Sequence, residues 1–359
     1  MKAGLGIPGP ILNKETLQFA RQAGATHIVA HFVSGRLGED SSGWLQEPGL
    51  RRSYPGDERY SYESLAALRE LAHSEDVEVE AIENFAPVDW HDVLLDGPRR
   101  DEQIAYVQQV IRNVGRAGIP AMGYNFSLAG VWGRTIQPVA RGRAMASDFR
   151  DPEQAGIPKG MVWNQVCDPE LYEASVATGD FLDPVSSEEF WDRFGRFLAE
   201  VVPVAEEAGV TLALHPDDPP AAQLRGTPRL VHRGEFYQRV LDLKPSGANA
   251  MEFCVGTLSE VADQDIYEIV ERFAATGRIH YVHLRNVNGR IPNYQETFVD
   301  DGYVDMQRVL RILADAGFDG VVIPDHTPQM TCAAPWHAGM AYALGWIRAS
   351  LKSIGALEA

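Results

Sequence analysis

Side chains that bind metals or move protons recur at the ends of short apolar runs in the second half of this 359-residue chain. "TLALHPD" delivers His215, with Asp217 and Asp218 just beyond; "NAMEFCVG" carries Glu252 and Cys254; "IHYVHLRNV" carries His283 and Arg285; "GVVIPDH" ends in Asp325 and His326. Successive members are about one strand-and-helix unit apart. If each run is a strand, His215, Cys254, His283 and Asp325 therefore stand at equivalent heights. Imidazole, thiolate and carboxylate together suit a divalent transition metal: the thiolate leans toward zinc, while manganese, iron or cobalt fit a set that leaves positions open. Taken singly, each residue has a plainer account. A strand-end histidine can be a hydrogen-bonded core residue, Cys254 a small buried apolar one, and Asp325 a helix cap. The coincidence of four strand ends is what points to a site. His280 competes with His283 in the same run, but it lies at the start of the run and three residues away, on the opposite face.

Residues at matching heights need a scaffold that brings strand ends together. Eight runs read as buried strands: 2–7, 26–31, 77–84, 120–126, 211–217, 249–256, 279–287 and 320–326. Between them lie stretches with apolar positions three or four apart, such as "KETLQFARQAG" and "VDMQRVLRILADAG", the spacing of amphipathic helices. Four of these end in Ala-Gly and pass at once into a strand, in "AGATHIV", "AGIPAMG", "AGVTLAL" and "AGFDGVV". Glycine closes a helix cheaply in the left-handed conformation, so the repeat marks helix stop and strand start. Eight alternations favour an α/β (β/α)8 TIM barrel over a doubly wound open sheet, and the expectation is one barrel domain over 1–359.

Segment 127–188 breaks the rhythm. It is rich in Gly, Pro, Asp and Arg and without sustained periodicity, and it reads as a long excursion after strand four that covers the barrel mouth. Trp132, Phe149, Trp163, Tyr172 and Phe181 make it more aromatic than a linker.

The formal charge of −18, from 32 basic and 50 acidic residues, argues against nucleic acid or an anionic membrane as partner. The start of the chain has no signal-peptide core and no later stretch has the length of a membrane span, so a soluble, cytoplasmic protein is expected. Three scattered cysteines make no disulfide framework, and Cys167 and Cys332 read as structural or incidental. "GIPGP" lacks the spacing and lysine of a phosphate loop, and no GxSxG or Walker pattern occurs.

"ALHPDDPP", "MEFCVGTLSE", "RIHYVHLRNV", "GYVDMQRVL" and "IPDHTPQM", in that order, together with "GPRRDEQIAYVQQVIRNVGRAGIPAMGYNF", resemble the D-mannonate dehydratase family over most of the chain. The resemblance implies a xylose-isomerase-like barrel, a manganese ion (with Fe2+, Co2+ or Zn2+ as alternatives) and dehydration of D-mannonate to 2-keto-3-deoxy-D-gluconate, a step of hexuronate breakdown. It implies His215, Cys254, His283 and Asp325 as metal ligands and His326 as an acid or base. Arg285 would be catalytic and pair with the substrate carboxylate, with Asn125 near the sugar acid; Asp217 is a further substrate-binding candidate or, with Asp218, a residue that supports the ligands or shapes the loop. The chemistry is coherent: a proton leaves C2 alpha to the carboxylate, the C3 hydroxyl departs, and the charge between them resides on an enediolate. Ile323 stands where the family has Arg before Pro-Asp-His, and Thr327 where it has Gly. "APWHAGMAY" replaces an element with a functional tyrosine, leaving Trp336, His337 and Tyr342 as the nearby side chains that could substitute. Two other readings stay open: an isomerase, epimerase or eliminase acting on a neutral or keto sugar, and a sugar-binding paralogue without turnover. The small-molecule partner is a sugar acid on the first reading, and a homo-oligomer is left open.

Overall fold

The computed structural model describes residues 1–33, 51–52 and 58–358. Each expected run contains one strand of a closed, all-parallel barrel: β1 (Lys2–Pro8), β2 (His27–His31), β3 (Glu78–Glu83), β4 (Ala121–Tyr124), β5 (Thr211–Leu214), β6 (Asn249–Cys254), β7 (Ile279–His283) and β8 (Val321–Ile323). Each strand pairs with its sequence neighbours, and β8 closes on β1. Several strands are shorter than the runs that announce them. Cys254 and His283 are the last residues of β6 and β7, whereas His215, Asp325 and His326 lie just past β5 and β8. His215 is still tied to the barrel, its backbone N–H donating to the Tyr124 carbonyl at 2.8 Å.

Helices α1 (Lys14–Ala23), α2 (Tyr62–Ser74), α3 (Arg100–Arg116), α4 (Ser187–Ala208), α5 (Phe236–Leu243), α6 (Ile266–Ala274), α7 (Met306–Asp315) and α8 (Pro335–Ser353) stand between and after the strands. Sequence chemistry sets their ends. Asn13, Ser186 and Asp305 accept the backbone N–H three residues on, satisfying donors the first turn leaves over. The four Ala-Gly stops resolve into Gly24, Gly118, Gly209 and Gly317, all at positive φ, where a Cβ would be strained. The apolar stripe of α4 buries Phe190, Phe194, Phe197 and Val201 completely. Each such side chain contributes roughly 1.5–3 kcal/mol by leaving water.

Inside the barrel the filling is small: Val29, Ala81, Ala121, Ala213, Tyr281, Val321 and Ile323 form one buried cluster. Gly6 on β1 adds no side chain, and a Cβ there would come 2.6 Å from His31 Nε2. Ile323, the last residue of β8, is part of this filling. The register of β6 on β7 slips by one between Met251 and Glu252, so that His280 is skipped, Glu252 pairs with Tyr281 and Cys254 pairs with His283. Paired residues on parallel strands face the same way. The slip thus puts Glu252, Cys254, Tyr281 and His283 on one interior surface, and His280 turns instead to Glu80 at 3.2 Å.

The excursion has more regular structure than its composition suggests. Strands Arg134–Ala140 and Ala144–Arg150 form a hairpin that joins a second hairpin after β7, Asn286–Arg290 with Asn293–Thr297. The order across this four-stranded antiparallel sheet is 286–290, 293–297, 144–150, 134–140. Its period-2 pattern is hard to read because the pairing that joins the hairpins, Tyr294 with Phe149, spans 145 residues of sequence. In one row across the sheet, Arg134 lies opposite Phe149 and Phe149 opposite Tyr294. The Phe149 and Tyr294 rings stack at 5.3 Å. A helix, Pro169–Thr178, follows, with Asp168 as its cap. Of the excursion's aromatics Phe149 is buried, Trp132, Trp163 and Tyr172 are half-buried, and Phe181 is exposed.

Candidate metal centre

His215, Cys254 and His283 offer ligand atoms that all lie within 4.8 Å of one another at the carboxyl ends of β5, β6 and β7. Asp325 joins from the segment after β8, its Oδ2 3.8 Å from Cys254 Sγ and its Oδ1 3.5 Å from His283 Nδ1. His215 Nδ1 lies 2.6 Å from the Pro216 carbonyl. A carbonyl only accepts, so Nδ1 carries hydrogen and Nε2 is the nitrogen left for a ligand, the arrangement that orients metal-bound imidazoles.

Local charge prepares the same atoms. Burial opposes a thiolate at Cys254, but Arg285 and the two imidazoles outweigh it and draw the thiol down to about 5. The Thr257 hydroxyl and backbone N–H also donate to its sulfur, at 3.2 and 3.4 Å. Burial would lower His215, yet Glu252 and Cys254 push it up to about 9. His283 is raised well above its ordinary value, with Asp325 and Glu252 overcoming burial. Without a metal, both imidazoles thus hold protons against a thiolate and carboxylates. A divalent cation is the natural replacement for those protons, because metal and proton compete for the same lone pairs. The donor set therefore fits a transition ion.

Around this trio lies a buried ionic cluster. Arg285, 1% exposed, reaches Glu296, Asp218 (2.9 Å), Glu260 (3.2 Å) and Asp325 (3.1 Å). Gly256 makes room for it, since a Cβ there would meet the guanidinium at 2.5 Å. Arg134, descending from the excursion, pairs with Asp218 and with Glu296 at 3.1 Å. The Tyr294 hydroxyl donates to Asp218 at 3.2 Å and accepts from Arg134 at 3.2 Å. Against the cost of burial the two guanidiniums hold Asp218 well below the usual carboxylate range. Burial takes Glu296 the other way, but His326, Arg285 and Arg134 bring it down to about 2. Glu260 is pushed well up by burial and by Asp218, with Arg285 and Arg134 drawing it the other way.

These contacts bear on two of the expected site residues. Arg285 does not face an open mouth: its donors are directed at four carboxyl groups, and it acts as the cation that holds Asp325 and lowers Cys254. Asp217 does not face it either. Its Oδ2 accepts the backbone N–H groups of Leu230 and Val231, both at 2.8 Å, and Oδ1 pairs with Arg229 at 2.9 Å, which makes it a brace for the loop after β5. Asn125 is similarly engaged. Its amide nitrogen donates to the carbonyls of His215 and Pro216, both at 3.4 Å, and its oxygen accepts from Trp163 of the excursion at 3.2 Å. A cis peptide joins Asp218 to Pro219 in the same loop.

His326 is where the sequence places it, with a partner the sequence does not reveal. Nδ1 lies 3.0 Å from both oxygens of Glu296, and Nε2 is 3.3 Å from Asp325. Despite burial, Asp325 and Glu296 raise its basicity. Trp336 and His337 pack on Phe19 of α1, and the Tyr342 hydroxyl is bonded to Asp300 and Arg141. None of these contacts is with the cluster. Tyr294 does touch it, and its signal in the sequence is the "NYQETF" stretch that also supplies Glu296.

Comparison with known proteins gives concordant matches. Residues 9–344 match the family D-mannonate dehydratase (UxuA). The mannonate dehydratase of Streptococcus pneumoniae is 31% identical over 284 residues, covering 76% of this chain and 75% of that protein. That of Thermotoga maritima is 29% identical, covering 76% and 79%. The crystal structure of mannonate dehydratase from Streptococcus suis aligns with a TM-score of 0.75 at 26% identity, covering 100% of this chain and 96% of that one. A D-psicose 3-epimerase from Clostridium cellulolyticum shares the fold, with a TM-score of 0.56 at 13% identity.

Proposed function

The chain belongs to the D-mannonate dehydratase family, and from that premise we propose that it removes water from D-mannonate, giving 2-keto-3-deoxy-D-gluconate, at the ring formed by His215, Cys254, His283 and Asp325. The observation that carries this assignment is the convergence of two imidazoles and a thiolate within 4.8 Å, with Asp325 beside them, at the end of the barrel where such enzymes work. Manganese is the ion the family reading favours, and iron, cobalt or zinc fit the same donors. Bound there, a divalent ion would supply positive charge to the carboxylate and hydroxyl oxygens of the sugar acid. With the guanidiniums of Arg285 and Arg134 consumed by buried carboxylates, carboxylate recognition falls chiefly to that charge.

The protein's own groups move the protons. Glu296 holds Nδ1 of His326, so Nε2 is the nitrogen that exchanges a proton with substrate. Removal of the C2 proton and departure of the C3 hydroxyl, which leaves as water once protonated, give an enol that collapses to the 2-keto acid. His326 serves one of these two transfers. Arg285 keeps Asp325 in place and Cys254 ionised, and the roof of Arg134, Phe149 and Tyr294 excludes water from the cluster. No helix among the described residues is long and apolar enough to cross a membrane, and a cytoplasmic place in hexuronate breakdown accords with the reaction.

Purified protein given Mn2+ and D-mannonate should yield a 2-keto-3-deoxy acid, and His215→Ala or His283→Ala should abolish it. Product only from an epimeric acid or a neutral sugar would overturn the substrate. Wild-type protein that takes up none of the four ions would overturn the site.

A further inference from the structure

Directly beneath the metal centre, the barrel interior holds a second set of polar groups. Glu83 from β3, Glu252 from β6, and Tyr281 and His283 from β7 meet there, with His31 of β2 alongside. His283 faces both sets. Its Nδ1 is on the side of Asp325, at 3.5 Å, while its Nε2 is 3.1 Å from Glu252 Oε1 and 3.5 Å from Glu83 Oε2. The two carboxylates differ in their other commitments. Glu83 is also held by His31 Nδ1 at 3.0 Å and by the Tyr281 hydroxyl at 3.4 Å. Glu252 is fully buried, and neither of its oxygens has a hydrogen-bond partner of good geometry; its neighbours are His283 Nε2, at ion-pair distance, and the Tyr281 hydroxyl that it shares with Glu83. Space for it comes from across the interior, where Gly123 on β4 carries no side chain: a Cβ there would come 2.7 Å from Glu252 Oε2 and would also run into the Tyr281 hydroxyl.

A carboxylate buried at 0% exposure with so little to bond is costly to keep. The apolar part of the interior, Val29, Ala81, Ala121, Ala213, Val321 and Ile323, gives no packing reason to hold one. The register slip at Met251/Glu252 that brings Cys254 level with His283 also brings Glu252 level with Tyr281, so one backbone irregularity serves ligand and carboxylate together. We propose that Glu252 is a positioning residue for His283: it accepts the Nε2–H bond, fixes the tautomer that leaves Nδ1 as the ligand nitrogen, and keeps the ring turned toward Cys254 and Asp325. This rests on the metal centre proposed above. It gives His283 the same support that the Pro216 carbonyl gives His215, from the opposite side of the site.

The test compares wild type with Glu252→Leu and Glu252→Gln, reading equilibrium Co2+ affinity, the visible spectrum of the bound Co2+, ion stoichiometry, and thermal unfolding of the metal-free protein. Losing an outer carboxylate costs on the order of 10–100-fold in metal affinity, and that loss is expected for the leucine variant, together with an altered cobalt spectrum. The glutamine variant can still accept through its amide oxygen and should recover most of the affinity. Metal-free leucine variant should unfold at or above the wild-type temperature, because an uncompensated buried polar group has been removed. A leucine variant that binds Co2+ within about threefold of wild type would overturn the proposal while leaving the metal centre standing. So would equal losses in both variants that track a fall in stability. Two ions per wild-type chain, one lost on substitution, would overturn it by making Glu252 a ligand. Wild type that binds no ion would overturn it together with the centre itself.

Discussion

Replacing Glu296 with glutamine isolates the group that sequence reading missed and mechanism most needs. The side chain keeps its volume but loses a charge that touches three cations: His326 at 3.0 Å through both oxygens, Arg134 at 3.1 Å, and Arg285. Two consequences separate. The first is on His326. An amide can offer either its oxygen or its NH2 to Nδ1, and when NH2 is offered the imidazole takes the tautomer with hydrogen on Nε2. Basicity falls as well, since Glu296 is one of the two carboxylates that raise it. General acid–base groups contribute about 10²–10⁴-fold, and a glutamine that retains half of the orienting function should cost about 100-fold in kcat, or about 2.7 kcal/mol of barrier. The limb of the pH–rate profile that reports His326 should move to lower pH. The second consequence is on the ionic cluster. Removing one partner from a buried pair costs about 3–5 kcal/mol when the other is stranded. Here Asp218, Glu260 and Asp325 still face Arg285, so a loss at or below the low end of that range is expected. The assay is formation of the 2-keto-3-deoxy acid from D-mannonate at saturating metal, for Glu296→Gln, His326→Asn and the double variant. If Glu296 works through His326, the double variant is no slower than His326→Asn alone. A double variant slower by a further factor near 100, or a single variant with raised KM and unchanged kcat, would refute the reasoning.

Two further outcomes follow from the same charges. Metal binding at pH 7 should release protons, because His215 is pushed up to about 9 and His283 is raised well above its ordinary value while Cys254, at about 5, is already ionised; calorimetry in buffers of differing ionisation enthalpy measures the number, and a value near zero would contradict the charge assignment. Glu296 is also a source of acid sensitivity. Its folded value of about 2 lies below the ordinary 4.5, so its stabilisation is complete above about 4.5 and is lost as pH falls toward 2; denaturant unfolding across that window should show a shallower decline for Glu296→Gln than for wild type, and parallel curves would count against it.

The barrel was legible, and the ring of candidate ligands could be drawn, for one physical reason: both follow from local repetition. A strand-end residue inherits its height from the apolar run before it, and the Ala-Gly stops mark each run's beginning, so His215, Cys254, His283 and Asp325 could be lined up without any tertiary contact. Glu252 was visible on the same parity as Cys254, though not its bond to His283, which depends on a register slip. Arg285 could be placed in height, but its partners in the protein could not be seen. Whether a guanidinium at that height meets substrate or protein depends on Asp218 and Glu260, which arrive from the loops after β5 and β6, and on Glu296, which the hairpin after β7 folds back onto it. Arg134, Tyr294 and Glu296 carry no motif, because the sheet that aims them forms only when the hairpin after β4 meets the hairpin after β7.

That shared sheet has an evolutionary consequence. Strand 293–297 borrows its outer neighbour from the excursion, and the excursion borrows its seat from strand 293–297. Neither loop can be exchanged, shortened or grafted from a relative without exposing an unpaired edge on the other. The two insertions are therefore one heritable unit split across the chain. Variation in what the enzyme accepts should come through paired changes in both hairpins, while the barrel beneath stays as it is.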